Sequence, residues 1–339
     1  MKKLLFIWML GAGCALQQVH ADAYHVIICG SGGEEEFVEK FQSWGERLEG
    51  ALIETVDVPS SNVYLLTEGV MTETPPMAVS TIDSIRSVFE IVANQAGEDD
   101  SVFIYLIGHG SFYKSISRVH IPGIDMTVTD FASYIDSLSV KELVIVNGTS
   151  TSAAYINELS GPGRIICSAT KSVTEFNATE FMAHFVEGLE DGSADRNRDE
   201  RITIYEACQQ AAELTDAWYI SSGYIPTEHA ILDDNGDGQG TRLTWDMTAG
   251  FDPSVKEAAG QDGAFAKSVF LKNYVFPEGV SQEWIDQYMD AMDAVDALKQ
   301  QKLDLEEEAY FERLESLFLD AARANAKIRS FQPEEGSDT

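Results

Sequence analysis

Basic residues and cysteines are both scarce in this chain. Lysine and arginine total 23 against 56 aspartates and glutamates, a formal charge of −33 at neutral pH. A surface that acidic repels phosphate backbones and anionic headgroups, so nucleic acid is excluded as a partner. Four cysteines in 339 residues are too few for a disulfide scaffold. Cys14 precedes the folded part, and the remaining Cys29, Cys167 and Cys208 lie in apolar or helical stretches without metal-ligand spacing. They are expected to be buried thiols of the core. Long apolar runs are also lacking: none approaches the ~20 residues of a membrane span.

Lys2 and Lys3 lead into the apolar run Leu4–Leu10, and Ala21-Asp22-Ala23 supplies a small-x-small cleavage pattern. This predicts a secretory signal peptide over 1–23 and an exported, secreted or periplasmic, mature chain. A lipoprotein anchored through Cys14 is disfavoured, because Gly11-Ala12-Gly13 stands where an aliphatic residue is expected.

From residue 24 onward, strand-like and helix-like segments alternate. Strands are predicted at Tyr24–Cys29, Asn62–Leu66, from Phe103 towards His109, at Leu143–Val146 and at Gly163–Ala169. Helices are predicted near 34–48, 80–96, 127–137, 178–189 and 203–214. The alternation implies a mostly parallel sheet covered on both faces, with ligands at the carboxyl ends of its strands. The boundaries expected are a domain at 24–246, a loop-rich linker at 247–280, a helical arm at 281–330 and a disordered tail at 331–339. Within the arm, apolar residues recur in 4,3 spacing (Trp284, Tyr288, Ala291, Val295, Leu298, then Leu305), and again from Tyr310 through Leu314, Leu317, Ala321, Ala324 and Ile328. The phase slips by one residue between Leu305 and Tyr310. That slip marks either a skip in one long helix or a break into two. The arm either packs on its own domain or forms a coiled coil that makes a homodimer.

Two strand ends carry the chemistry. The buried run Phe103–Ile107 ends in Gly108-His109-Gly110, and the run Leu143–Val146 ends in Asn147-Gly148-Thr149-Ser150-Thr151-Ser152. An imidazole and a hydroxyl-rich bend at neighbouring strand ends form a hydrolase arrangement. Gly30-Ser31-Gly32-Gly33 after the first strand is a poor dinucleotide fingerprint, because Glu34, Glu35 and Glu36 would repel a pyrophosphate.

The order of these strands, with His109-Gly110 and then a nucleophile bend, resembles the legumain and caspase-like cysteine peptidases over about residues 24–242. Glu34-Glu35-Glu36, Gly188–Asp191, Ala194-Asp195, Thr227-Glu228-His229 and Asp233–Gly238 are similar to runs in exported bacterial legumain-like members. The resemblance implies a caspase-like three-layer sandwich with a His–Cys dyad. This chain has no cysteine at that place: Asn147 on the family's acidic position puts Thr149 on the nucleophile, and a shift of one puts Ser150 there. An alcohol is not ionised near neutral pH as a thiol partly is, and it needs a well-oriented base. Two readings follow. One is a non-catalytic homologue that binds a peptide or protein in the cleft. The other is a Ser/Thr hydrolase with His109 as base, Thr149 or Ser150 as nucleophile, and Gly110, Asn147 and Gly148 around the oxyanion. Cys167 is set aside as a substitute nucleophile because it sits in an alternating, packed strand.

Two loops have calcium-loop spacing. In the first, Asp195, Asn197, Asp199 and Glu206 fall at positions 1, 3, 5 and 12, and Arg201 offers its carbonyl. Glu200 replaces the usual turn glycine, and the alternative is an acidic loop capping the next helix. In the second, Asp233, Asn235, Asp237 and Gly238 match positions 1, 3, 5 and 6, but the twelfth residue, Thr244, cannot clamp an ion with two oxygens. Calcium is the only cofactor these patterns suggest.

Overall fold

The structure is a computed structural model that describes residues 21–69, 78–244 and 262–331, apart from 275, 278, 301, 303 and 304. The expected leader up to residue 20, Cys14 within it, the junction at Asp246 and the tail beyond 331 lie outside the described residues. The chain divides into two compact units, 1–273 and 274–339.

In chain order the first unit runs β1 (Ala23–Cys29), α1 (Glu35–Glu54), β2 (Val63–Thr67), β3 (Ala78–Val79), α2 (Ile82–Gln95) and β4 (Ser101–Ile107). Next come β5 (Gly110–Tyr113), β6 (Ile116–Val119), β7 (Met126–Thr127), α3 (Val128–Ile135), β8 (Glu142–Asn147), α4 (Ala153–Leu159), β9 (Arg164–Ser168) and α5 (Phe181–Glu190). It closes with β10 (Ile202–Thr203), α6 (Ile204–Ser222), β11 (Ile231–Asp233), β12 (Thr241–Arg242) and β13 (Phe270–Lys272). The main sheet has eight strands in the order β12-β11-β9-β8-β4-β1-β2-β3. Six of them are parallel; β11 turns antiparallel against β9, and β12 against β11.

Alternation along each strand builds two cores. Ile27, Leu65, Phe103, Tyr105, Val144, Val146, Ile165 and Cys167 face α1, α5 and α6. Val26, Ile28, Leu66, Ile104, Leu106, Ile145 and Ile166 face α2, α3 and α4. Successive side chains of a strand point to opposite faces, so the near-continuous apolar runs follow from burial on both sides. The result is an α/β sandwich of three layers, as expected from the alternating elements. Cys29, Cys167 and Cys208 are all buried and unbridged. Helix α6 extends past the predicted end near 214 to Ser222, because Thr215 and Tyr219 are also buried, and it stops at Gly223 with φ +71°.

Residues 262–273, expected in the linker, belong to this unit. Strand β13 pairs antiparallel with β10, and Ala266, Val269 and Leu271 join the core beside α6. In the second unit the phase slip is a break: α7 (Gln282–Gln300) and α8 (Glu307–Arg329) are separate helices. Their apolar stripes meet, Tyr288, Ala291 and Met292 clustering with Ala321, Ala324 and Ile328. Among the described residues, no helix is long and apolar enough to cross a membrane.

His25 lies fully buried in β1, stacked on Phe103 with ring centroids 4.7 Å apart, its Nδ1 3.1 Å from the Tyr105 hydroxyl. Burial pulls its pKa down to about 3. The unfolded chain therefore binds this proton near pH 6.5 while the folded chain does not, so its stabilising contribution is full above 6.5 and declines as pH falls towards 3. Replacing His25→Gln should flatten the stability–pH curve across that window by up to ~1.4 kcal/mol per pH unit, read from urea midpoints. An unchanged slope would show that the ring is protonated in the fold.

Candidate functional site

Register aligns the carboxyl ends of the central strands. Leu106 of β4 pairs with Asn147 of β8, and Asn147 with Ser168 of β9. His109 thus leaves the sheet beside the loop that begins at Gly148. The β4 exit is tightly packed: Gly108 has φ +149°, and a β-carbon there would lie 3.2 Å from Gly30 Cα. Gly110 is tighter still, since a β-carbon would lie 2.3 Å from the Ser150 carbonyl and 3.0 Å from Thr149 Oγ1. The sequence-predicted pair of strand ends is therefore in contact through backbone.

The His109 ring turns towards α1. Edges of the ring meet Phe37 and Phe41 at centroid distances of 4.6 and 4.9 Å. Burial, and then the neighbouring His120, hold its pKa below the ordinary histidine value, opposed by a backbone hydrogen bond to Gly32. The imidazole is accordingly neutral at pH 7. Among the described residues, no carboxylate hydrogen-bonds to it and neither Thr149 nor Ser150 does.

Both candidate alcohols are turned inward. Thr149 is wholly buried, and its Oγ1 donates to Asn147 Oδ1 at 2.7 Å while its backbone N–H reaches the same oxygen at 3.0 Å. Ser150 is 2% exposed and donates to the Asn177 carbonyl at 2.8 Å. The next residue, Thr151, has φ +55°, which is unfavourable for a β-branched residue. Its Oγ1 and the Asn147 Nδ2 are buried without a hydrogen-bond partner. Ser152, Ser168 and Thr170 bond their hydroxyls to one another beneath the loop.

A strap at 171–180 covers this bend. Thr151 N–H donates to the Glu175 carbonyl at 2.9 Å, and Thr179 Oγ1 donates to the Gly148 carbonyl. The strap is held in turn by Thr227-Glu228-His229. His229 Nδ1 lies 2.5 Å from Glu175 Oε1. Glu228, 2% exposed, accepts from the Glu180 and Phe181 N–H groups at 2.7 and 3.3 Å and from the Tyr219 hydroxyl at 3.2 Å. Burial pushes its pKa up to about 7. Glu175 carries no signal in the sequence, whereas Glu228 lies in the Thr227-Glu228-His229 run already noted, just before β11.

In the first acidic loop, side-chain oxygens converge on backbone. Asp195 accepts from the N–H groups of Asp199 and Glu200, Asn197 from Asp199, and Asp199 from Arg201. Glu200 adopts φ +68°, the turn conformation usually left to glycine. Glu206 forms a capping box with Thr203 at the start of α6, so the helix-capping alternative is realised. Arg201 places its guanidinium 3.1 Å from Asp199 Oδ2 and over the Phe270 ring, giving this carboxylate a cation from the chain itself. In the second loop Thr244, the expected twelfth position, accepts from the Arg242 guanidinium.

Neither protein-family models nor curated protein sequences match this chain. The class defined by the coordinates is an α/β sandwich with a mostly parallel mixed sheet.

Placing a β-carbon against the Ser150 carbonyl should separate the two strand ends. Gly110→Ala is therefore expected to lower the urea midpoint by the equivalent of ~1–3 kcal/mol, the usual cost of overpacking. A midpoint within error of wild type would show that the bend moves away freely.

Proposed function

We propose that the first unit is a legumain- and caspase-like peptidase homologue that binds a peptide or protein at the carboxyl rim of its sheet without cysteine-peptidase chemistry. The observation that carries this reading is the state of the two alcohols. Thr149 and Ser150 sit beside Gly110, yet each spends its proton on an internal acceptor. Activating either would require breaking a buried hydrogen bond and turning the side chain out. Without an acid to orient His109, little catalytic gain would offset that.

Binding is favoured by what surrounds the rim. Strand β5 starts at Gly110 and lies at the edge of the small sheet β5-β6-β7. It exposes Phe112 and Tyr113, while the strap exposes Phe176 at 72%. An edge strand flanked by exposed aromatic residues suits an extended peptide, which adds backbone hydrogen bonds and inserts alternate side chains. The formal charge of −33 favours a basic ligand.

The alternative is a Ser/Thr hydrolase, supported by the neutral His109 imidazole, which has the protonation state of a base. An activity probe separates the two. A fluorophosphonate incubated with the purified chain should leave no adduct, and a library of basic peptides should bind with affinity lost in Tyr113→Ala. Labelling that vanishes in Ser150→Ala or in Thr149→Ala, and also in His109→Ala, would establish the hydrolase.

A further inference from the structure

The second acidic loop holds a carboxylate that the fold leaves incomplete. Asp233, at the end of β11, is 1% exposed. Its Oδ1 accepts from Gly236 N–H at 3.1 Å, which sets the carboxylate over the turn 233–238, and its Oδ2 is buried with no donor. A buried carboxylate oxygen without a partner is strongly destabilising, and proteins resolve it with a donor or a cation. Two further carboxylates brace the ends of the loop. Asp262 accepts from Asp234 N–H at 3.2 Å and from Thr241 N–H and Oγ1 at 3.0 and 2.7 Å. Asp234 accepts from the Gly263 and Ala266 N–H groups at 2.9 and 2.7 Å. Among the described residues, no lysine or arginine pairs with Asp233, Asp234 or Asp262. The first loop differs here, since Arg201 already neutralises Asp199.

The backbone is shaped for an ion. Gly236 and Gly238 take φ +78° and +74°. Asn235 and Asp237 fold their carboxamide and carboxylate back onto the N–H groups of Asp237 and Gln239 at 2.8 and 2.7 Å, which holds both side chains against the loop. No group of three His, Cys, Asp or Glu side chains placed for a metal is found among the described residues, so the loop's ligand set is two carboxylates, Asp233 and Asp237, with the Asn235 amide and backbone carbonyls. Asp262 docks on Asp234 and Thr241 and so braces the two ends of the loop against each other.

From these observations we infer that the loop 233–241, closed by Asp262, is a binding site for a divalent cation of the calcium type, with Asp233 Oδ2 as its buried ligand. Asn235, Asp237 and the Gln239 carbonyl complete the loop's share. Calcium suits it better than magnesium, since irregular loops with six to eight oxygens accommodate calcium while magnesium demands a near-octahedral cage. The ion ties β11 and the edge strand β12 to the segment 262–266.

Calorimetry on the full chain after chelation decides the matter. Calcium chloride should give one-site heat with half-saturation between about 10⁻⁵ and 10⁻³ M, and magnesium chloride much less. The heat should be lost in Asp233→Asn and Asp237→Asn and kept in Asp195→Asn. The melting temperature supplies a second reading. In chelator, Asp233→Asn should melt at or above wild type, because an uncompensated charge is gone; in saturating calcium it should melt below. Lack of heat up to about 10 mM calcium would overturn the assignment, as would heat that survives Asp237→Asn but vanishes in Asp195→Asn. Equal destabilisation by Asp233→Asn with and without calcium would also overturn it. If Asp233→Asn fails to fold, Asp237→Asn, whose side chain is exposed, decides by the same heat.

Discussion

A carbonyl oxygen at residue 150 fills the space where residue 110 would carry a β-carbon. On that contact depends the meeting of two strand ends that are forty residues apart in the chain and separated by a helix and a small sheet. The parallel register of β4 with β8 brings the two exits level, but level exits alone leave room for side chains between them. Only glycine lets the backbones touch. Once they do, the loop 148–152 has no route outward, and its hydroxyls must find acceptors inside. Thr149 and Ser150 find them in Asn147 and Asn177, Ser152 pairs with Ser168 and Thr170, and the Thr151 hydroxyl is left without one. The inward turn of the alcohols thus follows from close backbone packing as much as from the loss of a sulfur nucleophile.

The strap and its clasp extend the same logic. Residues 171–180 exchange hydrogen bonds with the bend, accepting at Glu175 and Asn177 and donating from Thr179, and Glu228 and His229 hold the strap from the far side. Glu228 is placed against the first N–H groups of α5, where a carboxylate is electrostatically favoured, yet burial still raises its pKa. Desolvation and the helix terminus act in opposite directions there, and the direction of the shift shows that desolvation wins.

Much of the framework could be read from apolar runs. Strands β1, β2, β4 and β8 announce themselves as four or more consecutive apolar residues and β9 as three, because both faces are covered, and α3 and α6 begin at threonines that cap them. The short pieces were illegible for the same physical reason. Strands β5, β7, β10 and β13 have too few residues to show a period, and their pairing is decided by tertiary contacts. At the site, His109, Thr149 and Ser150 were visible as strand-end residues, but their orientation was not. A hydroxyl's direction depends on acceptors such as the Asn177 carbonyl, which lies 27 residues away in sequence. Asp262 was hidden likewise: it meets the loop at 233–241 only through folding, so spacing rules that look for a twelfth residue pass over it.

The three thiols of the folded unit share one side of the sheet. Cys29, Cys167 and Cys208 all belong to the layer packed on α1, α5 and α6, and none lies in the layer packed on α2, α3 and α4. Among the described residues, an alkylating reagent in solution therefore meets a thiol only when that first layer lifts. The molecule carries its own asymmetric reporter of breathing: its reaction rate with a maleimide measures opening of one half of the sandwich and is blind to the other.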